Sequence, residues 1–185
     1  MVNSTPIVIR SLTGVFPYNF RDLTLVSGTI GDYAAIVVGK GSPINSMDDL
    51  MAAFDADPAG TPFGGGSVPG GMDHLVAAMV MEASGRDALG VNYIPYDAGG
   101  TAMAALLSGE IAALSTGFSE AVDLSNAGEV KIIGVTSDAR VDAAPDAMTM
   151  MEQGIDTTFV NWRGFFGAPG MSDEKLAQYQ TAIAA

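Results

Sequence analysis

Between Thr61 and Leu75 the chain reads TPFGGGSVPGGMDHL, a glycine-rich turn running into an apolar helix, which is the pattern that gathers backbone N–H groups around an anion. Its spacing matches neither standard nucleotide motif. A P-loop needs Lys and then Ser or Thr after its last glycine, whereas Gly65 to Gly70 is followed by Gly71, and Gly66 to Gly71 by Met72 and Asp73. A dinucleotide fingerprint begun at Gly64 fails because Pro69 stands in place of the third glycine.

Other residues invite chemistry and do not complete it. His74 is the only histidine and no cysteine is present, so a metal centre lacks ligands and His74 reads as a residue that holds the turn. GFSEA, Gly117 to Ala121, approaches a nucleophile elbow, but Ala121 replaces the final glycine and the histidine precedes the serine, the reverse of hydrolase order. Asp73 and Asp97 stand near expected helix starts, where aspartates commonly cap. Arg163, among Trp162, Phe165 and Phe166, reads equally as a solvent-facing charge on a core strand or as a cleft residue. No catalytic set, metal site or cofactor motif emerges.

The positioning elements follow from periodicity. Ser46 with Asp49 makes a capping box for a helix carrying Met47, Leu50, Met51 and Phe54. After the glycine turn, Val76, Met79, Val80 and Ala83 line a helix ended by Gly85. VNYIPY is a strand, DAGG a turn, and Met103, Leu106 and Leu107 mark a helix stopped at Gly109. IAALS is a strand, FSEAVDLSNAG a helix with Ser119 as cap and Gly128 as stop, and VKIIGVT a buried strand. This βα alternation predicts an α/β fold with a mostly parallel sheet over 44–156. The flanks, with LTLVSGTIG, YAAIVVG and TTFVNWRGFFG, are extended, and 1–43 with 157–185 are expected to form part of a second lobe.

Three strand-to-helix turns, GGGSVPGGMD, YDAGGT and STGFSE, therefore fall at the carboxyl ends of parallel strands, where open sheets bind ligands. Rich in Gly, Ser, Thr and Asp, they suit a small carboxylate, with backbone N–H groups left free for it.

Composition narrows the partners. A formal charge of −13 on 185 residues repels phosphate backbones, and nucleic acid is excluded. Apolar runs fall short of the roughly 18 residues of a membrane span, so no direct membrane insertion is expected. MVNSTPIVIRSLTG lacks the basic and apolar regions of a signal peptide.

In order, GGGSVPGGMDHL, VNYIPYDAGGTAMAALLSGEI, STGFSE, IIGVTSDAR, EQGID and NWRGFFGAPGMSDEKL resemble the receptors of tripartite tricarboxylate transporters, the TctC-like extracytoplasmic binding proteins, and FPYNFRDLTLV resembles that family's segment before its first crossover. The resemblance implies a two-lobed, periplasmic-binding-protein-like fold, of which this chain carries one complete lobe and part of the second, lacking N-terminal and C-terminal parts. It implies a periplasmic receptor, not an enzyme, that binds a small organic anion of the tricarboxylate or dicarboxylate class without a cofactor and passes it to membrane permease subunits. By similarity the ligand faces Gly66 and Ser67, then Asp97, Gly99 and Gly100, then Thr116 and Ser119, with Asp73, His74 and Arg163 in support. Two alternatives stay open on the residues alone: an effector-sensing domain of a transcription regulator, although no basic recognition helix is visible, and a small α/β enzyme acting on a carboxylate.

Overall fold

The computed structural model describes residues 2–15 and 19–184, so the Phe16–Tyr18 part of FPYNFRDLTLV lies outside the described residues. In chain order the elements are β1 (Val2–Asn3), α1 (Ser4–Leu12), β2 (Thr24–Gly39), α2 (Met47–Ala56), β3 (Phe63–Gly65), α3 (Met72–Ala83), β4 (Tyr93–Pro95), α4 (Gly99–Ser108), β5 (Ala113–Gly117), α5 (Phe118–Asn126), β6 (Val130–Val135), β7 (Val160–Gly167) and α6 (Asp173–Ala184). They fall into two compact units, 1–31 with 161–185, and 32–160.

The larger unit is an α/β sandwich. Its sheet runs β4–β3–β5–β2–β6, with β3 parallel to both β4 and β5 and with β2 antiparallel to both β5 and β6. The α/β sheet expected over 44–156 takes in one antiparallel strand that its βα alternation did not announce. YAAIVVG supplies it: the segment expected beside NWRGFFG in the other lobe belongs instead to the larger unit, which also takes in the rest of 32–43 and 157–160. The reason lies in its burial, since Ala34 through Val38 are fully buried, the continuous apolar run of a strand covered on both faces. Alternate residues serve the two sides: Ala34, Ile36 and Val38 pack with α2 and α3, and Ala35 and Val37 with α4 and α5.

Local signals account for most helix ends. Ser46 accepts the Asp49 N–H at 3.1 Å and starts α2, while the Asp49 carboxylate reaches one residue further back, to the Asn45 N–H at 2.8 Å. Met47, Leu50, Met51 and Phe54 are buried as their spacing requires. On α3 the buried stripe is Val76, Ala77, Val80 and Met81, and Met79 is exposed; on α4 Leu107 is exposed beside buried Leu106. Gly109 closes α4 at φ +79°, a conformation that β-carbon-bearing residues rarely adopt. The capping expectation for Ser119 fails. Gly117 is the N-cap and Ser119 lies inside α5.

The smaller unit contains β1, α1, the first half of β2, most of β7, and α6. β1 pairs antiparallel with β7, which also neighbours β2. The Thr5 hydroxyl donates to Asn161 Oδ1 at 3.1 Å, and Gln180 on α6 donates to the Val26 carbonyl at 3.1 Å. Helix α1 went unread in the sequence because Ile7, Val8 and Ile9 are β-branched and locally favour extended backbone. LTLVSGTIG and YAAIVVG are likewise one continuous strand of 16 residues that passes from one unit into the other at Gly31–Asp32.

Candidate functional site

Parallel β3, β4 and β5 end at Gly65, Pro95 and Gly117, so the three turns leave the same edge of the larger unit's sheet. They touch. A β-carbon on Gly66 would lie 2.7 Å from the Ala98 carbonyl carbon, and one on Gly99 would lie 2.6 Å from Glu120 Oε2. The first turn therefore presses on the second, and the second on the helix of the third, through contacts only glycine permits. Gly66, Ser67, Asp97, Gly99, Gly100, Thr116 and Ser119 are all at this edge. Arg163 lies on β7, in the smaller unit.

The first turn is tied down from beneath. Ser67 Oγ donates to Asp73 Oδ2 at 2.7 Å, the Tyr93 hydroxyl donates to the Ser67 carbonyl at 2.8 Å, and the Gly70 N–H donates to His74 Nδ1 at 2.9 Å. Because Nδ1 accepts, the imidazole proton resides on Nε2. The His74 ring also stacks on Tyr93, with centroids 4.7 Å apart. Asp73 is only 6% exposed. Burial pushes its carboxyl up to about 6, against the Ser67 hydroxyl and the Gly66 and Ser67 amides, which favour the charge, and with the Glu120 carboxylate adding to the rise. Burial and the Asp73 charge likewise push the Tyr93 phenol up to about 12.

The second turn is the open one. Asp97 is exposed and makes no hydrogen bond or ion pair with the described residues, and Thr101 Oγ1 accepts the Ala98 N–H at 3.2 Å. Ala98, the N-cap of α4, has no side-chain acceptor to offer the helix amides. The first amides of α4, those of Gly99 and Gly100, have no acceptor among the described residues.

At the third turn the expectation of free donors is corrected. The buried Thr116 hydroxyl is bonded to the Glu120 carboxylate, and Ser119 gives its hydroxyl to Asp32 Oδ2 at 2.7 Å and its N–H to Asp32 Oδ1 at 3.3 Å. Asp32 thus sits at the amino end of α5 in the place sequence reasoning reserved for a ligand. It can sit there because β2 runs antiparallel beside β5, with Ala34 opposite Gly117. With Ser119 bonded to an aspartate and His74 engaged by Gly70 and Tyr93, these two do not form a nucleophile and base pair.

Sequence reasoning passed over Asp32, Glu120 and Tyr93, and the junction after β6. At that junction Thr136 Oγ1 donates to the Phe159 carbonyl at 2.8 Å and accepts the Ala34 N–H at 2.9 Å, while the buried Ser137 hydroxyl has no partner among the described residues. Asp32 had a signal: it is the only charged residue in β2. Tyr93 had none, since its side-chain partner is reached only once β3 and β4 pair.

Comparisons place this architecture. A UPF0065 protein of Bordetella pertussis is 27% identical over 187 residues, an alignment covering 95% of this chain and 56% of that protein. A TctC solute-binding protein from Polaromonas superposes with a TM-score of 0.82 at 24% identity, over 99% of this chain and 61% of that one. MatC from Rhodopseudomonas palustris, solved with bound malate, superposes with a TM-score of 0.81 at 17% identity, over 98% of this chain and 62% of that one. The chain therefore spans about three fifths of the length of these proteins, and the superpositions establish their common α/β fold. The model of the TctC family, described as the tripartite tricarboxylate transporter family receptor, matches residues 2–185, and the chain belongs to that family.

Proposed function

We propose that this chain is part of a periplasmic receptor that binds a small organic carboxylate of the dicarboxylate or tricarboxylate class and delivers it to the membrane permease subunits of a tripartite tricarboxylate transporter. The observation that carries the reading is the single sheet edge at which three strand-to-helix turns meet, with the first amides of α4 open to a ligand oxygen. Malate bound to a protein of the same fold supports the ligand class. The larger unit serves as the complete lobe and the smaller as the partial one, with Gly31–Asp32 and Val160–Asn161 as the crossings.

In this reading the ligand's carboxylate lies against the Gly99 and Gly100 amides, beside Gly66, with Asp97 at the rim. Ser67, Thr116 and Ser119 act at one remove, because their hydroxyls are already bonded to Asp73, Glu120 and Asp32. Asp73 and His74 shape the first turn. A thermal-shift screen of small mono-, di- and tricarboxylates tests the proposal. A ligand at 100 times its Kd stabilises the protein by about 2.7 kcal/mol. Stabilisation by carboxylates, with the ligand recovered unchanged, is the expected result; no response to any carboxylate, or conversion that scales with protein concentration, would overturn it.

A further inference from the structure

A carboxylate buried beneath an anion-binding turn is an electrostatic liability, and Asp73 is placed where that liability becomes a coupling. Asp73 lies in the first turn of α3, against Gly65, and its carboxylate accepts the Ser67 hydroxyl hydrogen and is favoured in its charged form by the Gly66 and Ser67 amides. While the carboxylate is ionised, the Ser67 hydroxyl must point its hydrogen inward, away from any ligand. Once Asp73 carries a proton the same oxygens can exchange roles: the carboxylic acid donates to Ser67 Oγ, and the Ser67 hydrogen is released toward the edge of the sheet.

We infer that Asp73 is a positioning residue that couples anion binding to proton uptake, so that the ligand enters this edge together with a proton taken up by Asp73 and relayed as a reoriented Ser67 hydroxyl. The inference rests on the carboxylate-receptor reading. Among the described residues the charged and titratable groups that act on Asp73 are Glu120 from α5 and Tyr93 from β4, and His74, its neighbour on α3, is turned to Gly70 and Tyr93. Glu120 carries like charge and the Tyr93 phenol is neutral at working pH, so none of these groups among the described residues offsets a second anion. Two carboxylates sharing one site cannot both ionise freely, and the buried one takes the proton. The raised affinity of Asp73 for its proton before any ligand arrives agrees with this.

Isothermal titration with L-malate and with adipate, acids ionised throughout the range used, tests the coupling. Titrations at pH 7 in two buffers of different ionisation enthalpy count the protons taken up by the wild-type protein, and affinity is measured from pH 6.5 to 8. Net uptake is expected, with affinity falling about three- to tenfold over that range if the bound anion raises the Asp73 pKa by one to two units. Asp73→Asn is expected to flatten the profile and to bind more tightly than wild type at pH 8; a residue that merely braced the turn would weaken binding at every pH. Absence of proton uptake with a flat wild-type profile, or a pH dependence retained by Asp73→Asn and so not belonging to Asp73, would overturn the coupling while leaving the receptor reading intact. Binding of neither acid at any pH would strike the receptor reading itself, and the coupling with it. The uptake measurement needs no variant, so it stands even if Asp73→Asn fails to fold.

Discussion

Replacing Asp73 with Asn should make the protein more stable at neutral and alkaline pH, in the absence of ligand. The side chain is 6% exposed, and its carboxyl is raised from 3.8 to about 6, chiefly by burial. A folded-state pKa above the unfolded value means that the contribution of Asp73 is fully favourable below about pH 3.8 and is lost as pH rises through about 6. The shift of about two units corresponds to roughly 3 kcal/mol at 1.36 kcal/mol per unit, reached well above pH 6. Between pH 5 and pH 8 the part still to be lost is about 1.4 kcal/mol. Asn is isosteric and never charged, so its stability relative to wild type should improve by that amount over the interval. The Ser67 hydroxyl can turn to accept from the new amide, which limits the loss of the 2.7 Å bond. For a chain of this length the change is about 3 to 6 °C in Tm. Urea denaturation of both proteins at pH 5, 6, 7 and 8 measures the difference directly, and because all other groups are common to the two, their titrations cancel. A difference independent of pH, or one that moves in the wild type's favour as pH rises, would refute the argument that Asp73 is held ionised against its preference.

Other substitutions probe the joints of the site. Gly66→Ala places a methyl against the Ala98 carbonyl carbon and the Gly99 backbone, and should cost about 1 to 3 kcal/mol in thermal or urea unfolding while weakening carboxylate binding measured by calorimetry. His74→Ala removes the acceptor of the Gly70 N–H and the ring stacked on Tyr93, and should lower stability by about 1 to 2 kcal/mol, with hydrogen exchange at Gly70 accelerating more than at the core of β5. Asp32→Ala takes a carboxylate from the amino end of α5: stability should fall by about 1 kcal/mol, but affinity for an anionic ligand should rise, a pairing of opposite signs that calorimetry and denaturation together resolve.

The parts of the fold that the sequence revealed are those in which local chemistry and tertiary packing agree. Ser46 before a buried stripe of Met47, Leu50, Met51 and Phe54 announces α2, and Gly109 announces the end of α4. The parts it concealed are decided by neighbours. Ile7, Val8 and Ile9 favour strand and fold as α1, and Ala34 to Val38 read as a strand without revealing that they would insert antiparallel between β5 and β6. The site divides in the same way. Glycine-rich turns after strands marked the correct edge, because backbone approach is a local requirement that glycine satisfies. What fills that edge was hidden: Asp32 reaches Ser119 across 87 residues of sequence, and Tyr93 reaches Ser67 across 26. Hydroxyls that looked available to a ligand are bonded to the protein's own carboxylates.

The central claim is that the edge formed by the three turns is where a small carboxylate binds, and amide chemical shifts of the 15N-labelled protein, titrated with L-malate and with adipate, test it most directly. Saturable shifts at Gly66, Ser67, Gly99, Gly100 and Gly117, with Lys40 and Gly109 at the far end of the sheet unmoved, are the predicted result. Shifts confined to that far end, or no saturable shift with either acid, would contradict it.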